Sequence, residues 1–364
     1  MSTLQVSLAV GGSLVLVGII AHSAWSARKN QPKQATPKAA AEPESMPAQA
    51  LEDSFQLSEL DGPPERHEPS FDSDSGMAAL TQLTQLTTPE RKAVLDILID
   101  AIAPVALESP VSGEAALLAM PGTRRVGSKS FAIEGLREDT CEWEIPAAGH
   151  RYSAFQCGVQ LANRTGALNA IEYSEFVMKA QAFVDAIGGE VEFAEMQGEV
   201  ARARELDQFA SAHDAQLAFK LRAVKTAWSP GYVQQSAASQ GFVPSATPGR
   251  MLLPASQPGH GAILGLSFDS QAAQAEDPEQ TALYELTLSL DVPQVLRAEA
   301  PFARMCEIAI ALAGSMDGVI IDDNAILVRP EAMEAIHADL ELLYDRMDAR
   351  ELSAGSVLGR RLFS

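Results

Sequence analysis

The sequence predicts an α+β protein: an N-terminal transmembrane helix, a disordered linker, and two tandem split-βαβ-like antiparallel sheets, each with helices on one face. Three observations predict it. Residues 6–25 are a mostly apolar run with no charge. The residues that follow are rich in Pro, Ala, Gln, Ser and acidic side chains. Beyond residue 89, alternating strands and helices with a 3.6-residue period recur in the same order.

Met1 to Ala27 contains no Asp, Glu, Lys or Arg. A helix over Val6–Trp25, rising ~1.5 Å per residue, spans a hydrocarbon core of roughly 30 Å. Arg28 and Lys29 follow at once, then Lys33 and Lys38. Positive charge marks the cytoplasmic side, which places the short N-terminus in the periplasm and the bulk of the chain in the cytoplasm. A cleaved signal peptide requires its basic residues before the apolar run, whereas here they come after it. Residues 1–27 are therefore expected to be an uncleaved inner-membrane anchor. Residues 28–88 lack the apolar content needed to offset chain entropy and are expected to be a disordered tether.

The first unit, 89–212, opens with a strand over Leu95–Ala106, whose beginning also suits a helix. A short helix over Gly113–Met120 follows, then strands at Ser130–Leu136, Cys141–Ile145 and Ser153–Leu161. The Glu172–Ile187 helix turns Phe176, Ala180, Phe183 and Ile187 inward, and Gly188-Gly189 stops it. A short extended piece and a helix from Met196 to Phe209 complete the unit.

The second unit, 213–350, has a strand over Gln216–Val224, a short helix over Gly231–Gln240, and strands at Arg250–Leu253, Ile263–Phe268 and Leu283–Val292. A helix carries Phe302, Met305, Ala309, Leu312 and Met316, with Gly318 as its stop. After Val319–Ile321, Pro330 starts a helix with Met333, Ile336, Leu340, Leu343 and Met347 on one face. The units align without a gap over their middle: Val159 with Leu288, Phe176 with Met305, Ala180 with Ala309, Phe183 with Leu312. Gly318 follows Gly189 by 129 positions, and each of the other pairs keeps that spacing. Residues 351–364 are read as a frayed tail bearing Arg360-Arg361.

A net charge of −21 and a pI near 4.6 argue against a nucleic-acid partner. The three cysteines, Cys141, Cys157 and Cys306, are too scattered for a disulfide framework, and Cys141 and Cys157 read as small buried hydrophobes. Six dispersed histidines show no ligand spacing, and no phosphate loop, Cys-x-x-Cys or nucleophile-elbow motif is present. No enzyme, metal, cofactor or small-molecule substrate is expected. Asp322-Asp323 reads as a solvated turn, and Glu142 and Glu144 as the wet side of a strand.

The second unit resembles the carboxy-terminal domain of the ZipA-like cell-division family. The resembling residues are Leu290-Asp291-Val292-Pro293, the helix after them, the run Met316-Asp317-Gly318-Val319-Ile320-Ile321-Asp322-Asp323-Asn324, then Arg329-Pro330, and Gln240-Gly241-Phe242 upstream. The order of tail, span, basic segment, linker and domain is similar too. The resemblance implies a division adaptor that binds the carboxy-terminal tail of FtsZ on the sheet face opposite the helices. It also implies that the adaptor tethers the Z-ring to the inner membrane at the septum. The chain departs from the family in carrying two units and in the polar character of that face, with Ser289 where a large apolar residue is expected. The candidate contact residues are Lys220, Arg222, Met251, Leu253 and Ser289, with the facing of Met251 and Leu253 open by one residue. The alternative is a membrane-anchored scaffold for another envelope or division protein.

Overall fold

The computed structural model describes residues 32–35, 94–277, 280–322 and 324–364. The expected anchor and most of the expected linker lie outside the described residues. Among those described, no helix is long and apolar enough to cross a membrane.

In the first half the elements are β1 (Asp100–Ser112), α1 (Gly113–Ala119), β2 (Arg125–Val126), β3 (Lys129–Arg137), β4 (Trp143–Glu144) and β5 (Arg151–Gln160). The hairpin β6 (Ala162–Asn163) and β7 (Gly166–Ala167) follows, then α2 (Ala170–Ile187), β8 (Gly189–Val191) and α3 (Met196–His213). The sheet runs β2-β3-β5-β1-β8, all antiparallel, with β4 beside β3. Alternation decides which side is buried: Ala101, Ala103 and Val105 of β1 pair with Val159, Cys157 and Phe155 of β5, and all six are buried. Phe155 meets Phe183 of α2 edge to face at 5.4 Å, and Phe131 meets Phe176 at 6.0 Å. Helix α2 starts on a capping box between Asn169 and Glu172 and stops at Gly188, whose φ of 69° suits glycine.

Several expectations need correcting here. Strand β1 starts at Asp100, not Leu95, because the Asp96 side chain accepts the Leu98 amide and turns the chain before pairing begins. The expected Cys141–Ile145 strand shrinks to β4, since Cys141 takes a left-handed φ of 55°. Cys157 is buried, but Cys141 is exposed. Glu144 is no wet-side residue: it accepts the Tyr152 hydroxyl at 2.8 Å, contacts His150 Nδ1 at 2.6 Å, and lies 3.9 Å from Arg137.

The second half comprises β9 (Gln216–Ala223), α4 (Pro230–Ser239), β10 (Val243–Pro244), β11 (Arg250–Leu253), β12 (Leu264–Ser267), α5 (Ser270–Ala273) and β13 (Glu285–Asp291). After two single-turn 3₁₀ segments come α6 (Pro301–Met316), β14 (Gly318–Ile321), α7 (Pro330–Asp348) and α8 (Val357–Leu362). Its sheet runs β10-β11-β12-β13-β9-β14, again antiparallel. Phe219 and Leu221 of β9 pair with Leu288 and Leu286 of β13 on the core side. Phe302, Met305, Ala309, Leu312 and Met316 of α6 are buried in the same core. The helix ends on Asp317, in the left-handed region at φ 54°, not on Gly318. Gly318 serves packing instead, because a Cβ there would sit 3.1 Å from the Trp228 ring.

The C-terminal residues are not frayed. Leu362 and Phe363 are buried, and α8 lies at the seam between the two halves. The Gln160 side chain donates to the Arg361 carbonyl at 2.7 Å, and Gln294 donates to the Phe363 carbonyl at 2.7 Å. Arg361 grips Asp100 through two hydrogen bonds of 2.6 and 3.0 Å. Arg164, on the β6–β7 turn, bridges Asp214 at 2.6 Å and Asp291 at 2.7 Å. Those of Gln160 with Arg361, Arg361 with Asp100, and Arg164 with Asp291 join the halves through residues 201, 261 and 127 positions apart.

Candidate protein-docking site

Among the described residues each sheet has helices on one face only, so the opposite faces are the surfaces to compare. On the second sheet, register places Ala218, Lys220 and Arg222 of β9 on the helix-free face. They lie opposite Ser289, Thr287 and Glu285 of β13. Gly265 and Ser267 of β12 continue the row, and Leu252 and Arg250 of β11 pair with them. Val319 of β14 pairs with Arg222 and borders the other side.

The floor of this face is low because its central side chains are small. Ser289 lies between Ala218 and Gly265, and its hydroxyl donates to the Gly265 carbonyl at 3.2 Å. A Cβ at Gly265 would fall 2.8 Å from that oxygen. Leu252, with Val243 opposite it, forms an apolar rim on one side, and Val319 forms one on the other. Arg222 is held by Glu285 across the strands, at 2.6 Å. Both side chains are nearly half exposed, so solvent screening leaves this pair worth less than about 1 kcal/mol.

Of the five residues expected from sequence, Lys220, Arg222 and Ser289 share this face. Met251 and Leu253 do not: they are 2% and 8% exposed and pack into the core. Arg250-Met251-Leu252-Leu253 has three apolar side chains in a row, so alternation alone leaves the parity of the strand unset. The pairing of Met251 with Leu266 sets it, and gives the helix-free face Leu252 instead. Leu252 and Val319 are the residues of this face that sequence reasoning did not name.

The corresponding face of the first sheet is already covered. Glu134 of β3, wholly buried, accepts the amides of Val94 and Leu95, the latter at 2.9 Å, and the Gln156 side chain at 2.8 Å. Leu95 fills the space above Gly158, where a Cβ would come within 2.4 Å of its side chain. Arg361 donates to the Val94 carbonyl and closes the far side. Val94 and Leu95 thus lie on this sheet face, with one leucine inserted. Only the alternation of Glu134 hinted at this, and it reads equally well as a solvated position.

The second half is thus a helix-backed antiparallel sheet of the α+β class, and among the described residues its other face is shallow and mixes polar and apolar side chains. Residues 271–339, from α5 into α7, match the family described as ZipA, C-terminal FtsZ-binding domain, and the chain is ZipA-like over this segment. No curated protein matches the chain.

Proposed function

We propose that this chain is a cell-division adaptor that binds the carboxy-terminal tail of FtsZ on the helix-free face of its second sheet. In this reading it tethers the Z-ring to the inner membrane at the septum through residues 1–27, and it acts by binding rather than by catalysis. The observation that carries the choice of face is the covered first sheet. There Leu95 sits over Gly158, and Gly158 lies 129 positions before Thr287. The first face is filled by the chain itself, and the second carries the family match.

The two halves are, in this reading, copies of one unit. Supporting it, the central strands run β3-β5-β1-β8 in one sheet and β12-β13-β9-β14 in the other. Val159 pairs with Ala101 as Leu288 pairs with Phe219, and Phe183 and Leu312 are both buried on the helix behind. The left-handed helix stop falls at Gly188 in one half and Asp317 in the other, again 129 apart.

Titrating the chain with a synthetic FtsZ tail peptide tests the reading. Micromolar binding is expected, and Ser289→Glu with Lys220→Glu should weaken it at least tenfold, about 1.4 kcal/mol. An affinity unchanged by the double substitution moves the site off this face. A reporter fused after Ser364 should be active only as a cytoplasmic reporter; a periplasm-active fusion defeats the topology.

A further inference from the structure

One short segment of the expected linker is not free. Pro32 is buried, and Lys33 forms a parallel bridge to Trp228. The Lys33 amide donates to the Ala227 carbonyl at 2.7 Å, and the Lys33 carbonyl accepts the Ser229 amide at 2.8 Å. Trp228 is bridged on its other side by Leu283, with amide-to-carbonyl bonds of 2.8 Å in both directions. Residue 33 is therefore the outer rung of a three-chain ladder whose middle rung is a fully buried tryptophan.

The side chain adds specificity to the ladder. Lys33 Nζ reaches the Asp317 carboxylate at 2.5 Å and the Met316 carbonyl at 3.1 Å, and lies 5.9 Å from the centre of the Tyr232 ring. The same Met316 carbonyl accepts the Trp228 indole N–H at 2.8 Å. The end of α6 thus offers a carboxylate and a carbonyl to one ammonium group. Lys33 holds the Asp317 carboxyl below the usual aspartate range, first through its hydrogen bond and then through its charge.

We infer that the groove formed by Ala227–Ser229, Tyr232 and Asp317 is a binding site for the chain's own Pro32-Lys33 segment, and that the docked segment clips the N-terminal region to the second half. The recognition chemistry is an extended backbone that pairs with residues 227–229 and a lysine that meets the end of α6. Residues 36–93 leave from this groove and re-enter the fold in the first half, so they form a closed loop when the clip is engaged. Intramolecular docking of this kind acts at millimolar effective concentration, so a handful of polar contacts suffices to fill the groove.

The consequence for reach rests on the anchor reading; the docking itself does not. Fully extended, residues 36–93 span about 200 Å, at ~3.3–3.6 Å per residue. With the clip closed, only residues 28–31 separate the anchor from the fold, a span of about 14 Å. The clip therefore converts a long tether into a short one and holds the second sheet close to the membrane surface.

Hydrogen exchange on the full chain tests the docking in detergent solution, independently of membrane orientation and of any FtsZ peptide. Peptides covering residues 30–36 and 226–233 should each exchange at least tenfold more slowly than an open chain. Lys33→Glu, which turns attraction to Asp317 into repulsion, should remove most of that protection from residues 30–36 and, within the second peptide, from the Ser229 amide, while the Trp228 amide stays held by Leu283. Asp317→Asn, which keeps a residue tolerant of the left-handed conformation, should reduce it severalfold while α6 and β9 stay protected. Lys38→Glu, a charge change outside the docked residues, should leave both peptides unchanged. Open-chain exchange of residues 30–36 in the unaltered protein overturns the inference, as does full protection in Lys33→Glu. Protection that rises with protein concentration overturns it too, because a second copy's segment would then fill the groove.

Discussion

Removing Arg361 should uncover the most costly charge in the seam. Asp100 is fully buried, and its carboxylate takes two hydrogen bonds from Arg361 and one from the Asp96 amide at 2.9 Å. Burial raises its pKa above the ordinary aspartate value; the hydrogen bond and charge of Arg361 act against that rise without cancelling it. Arg361→Met keeps most of the aliphatic stem but leaves the carboxylate without its cation. Breaking a buried pair from one side costs about 3–5 kcal/mol. With a urea m-value of about 3 kcal/mol/M, the midpoint should fall by roughly 1–1.7 M at neutral pH. The sign of the pH dependence follows from the direction of the shift. A carboxyl whose folded pKa is raised binds its proton more readily when folded, so acidification favours the folded state at this group. Without Arg361 the shift is larger, and the deficit should shrink as pH falls toward the folded pKa of Asp100. Adding Asp100→Asn should recover much of the lost stability at neutral pH, because no charge then remains buried. A loss under about 1 kcal/mol, or a deficit that does not change with pH, would refute this account.

Three further outcomes follow from the packing. Phe183→Ala and Leu312→Ala, on α2 and α6 and both 1% exposed, should lose about 3–5 and 2–5 kcal/mol respectively in chemical denaturation. Glu134→Ala strands the Val94 and Leu95 amides and should cost about 1–3 kcal/mol, with faster hydrogen exchange over residues 94–98 and little change elsewhere in β3. Gly355→Ala forces a side chain onto a φ of 73° with its Cβ 2.3 Å from the Leu296 amide, so it should lower the melting temperature by at least the equivalent of about 1 kcal/mol.

Periodicity made the core legible. Phe219 and Leu221 alternate on β9, and Phe302, Met305, Ala309 and Leu312 follow helical spacing on α6; all are buried as their spacing requires. These signals are local, because each depends only on which side of one element a residue occupies. The sequence by itself therefore determined the mixed α+β class, the inward faces and, through Gly318 and its neighbours, the family likeness of the second half. What only the tertiary structure decided were meetings between distant segments. Met251 and Leu253 turned inward because β11 pairs with β12 in one register, and a slip of one residue would exchange them for Leu252. Leu95 covers Gly158, Arg361 finds Asp100, and Lys33 docks beside Asp317 across nearly the whole chain. In their own surroundings Lys33 looks like a linker residue, Arg361 like a tail residue and Leu95 like the start of a strand. The partner of each is set by how the two sheets and the last helix close on one another, and no local pattern carries that information.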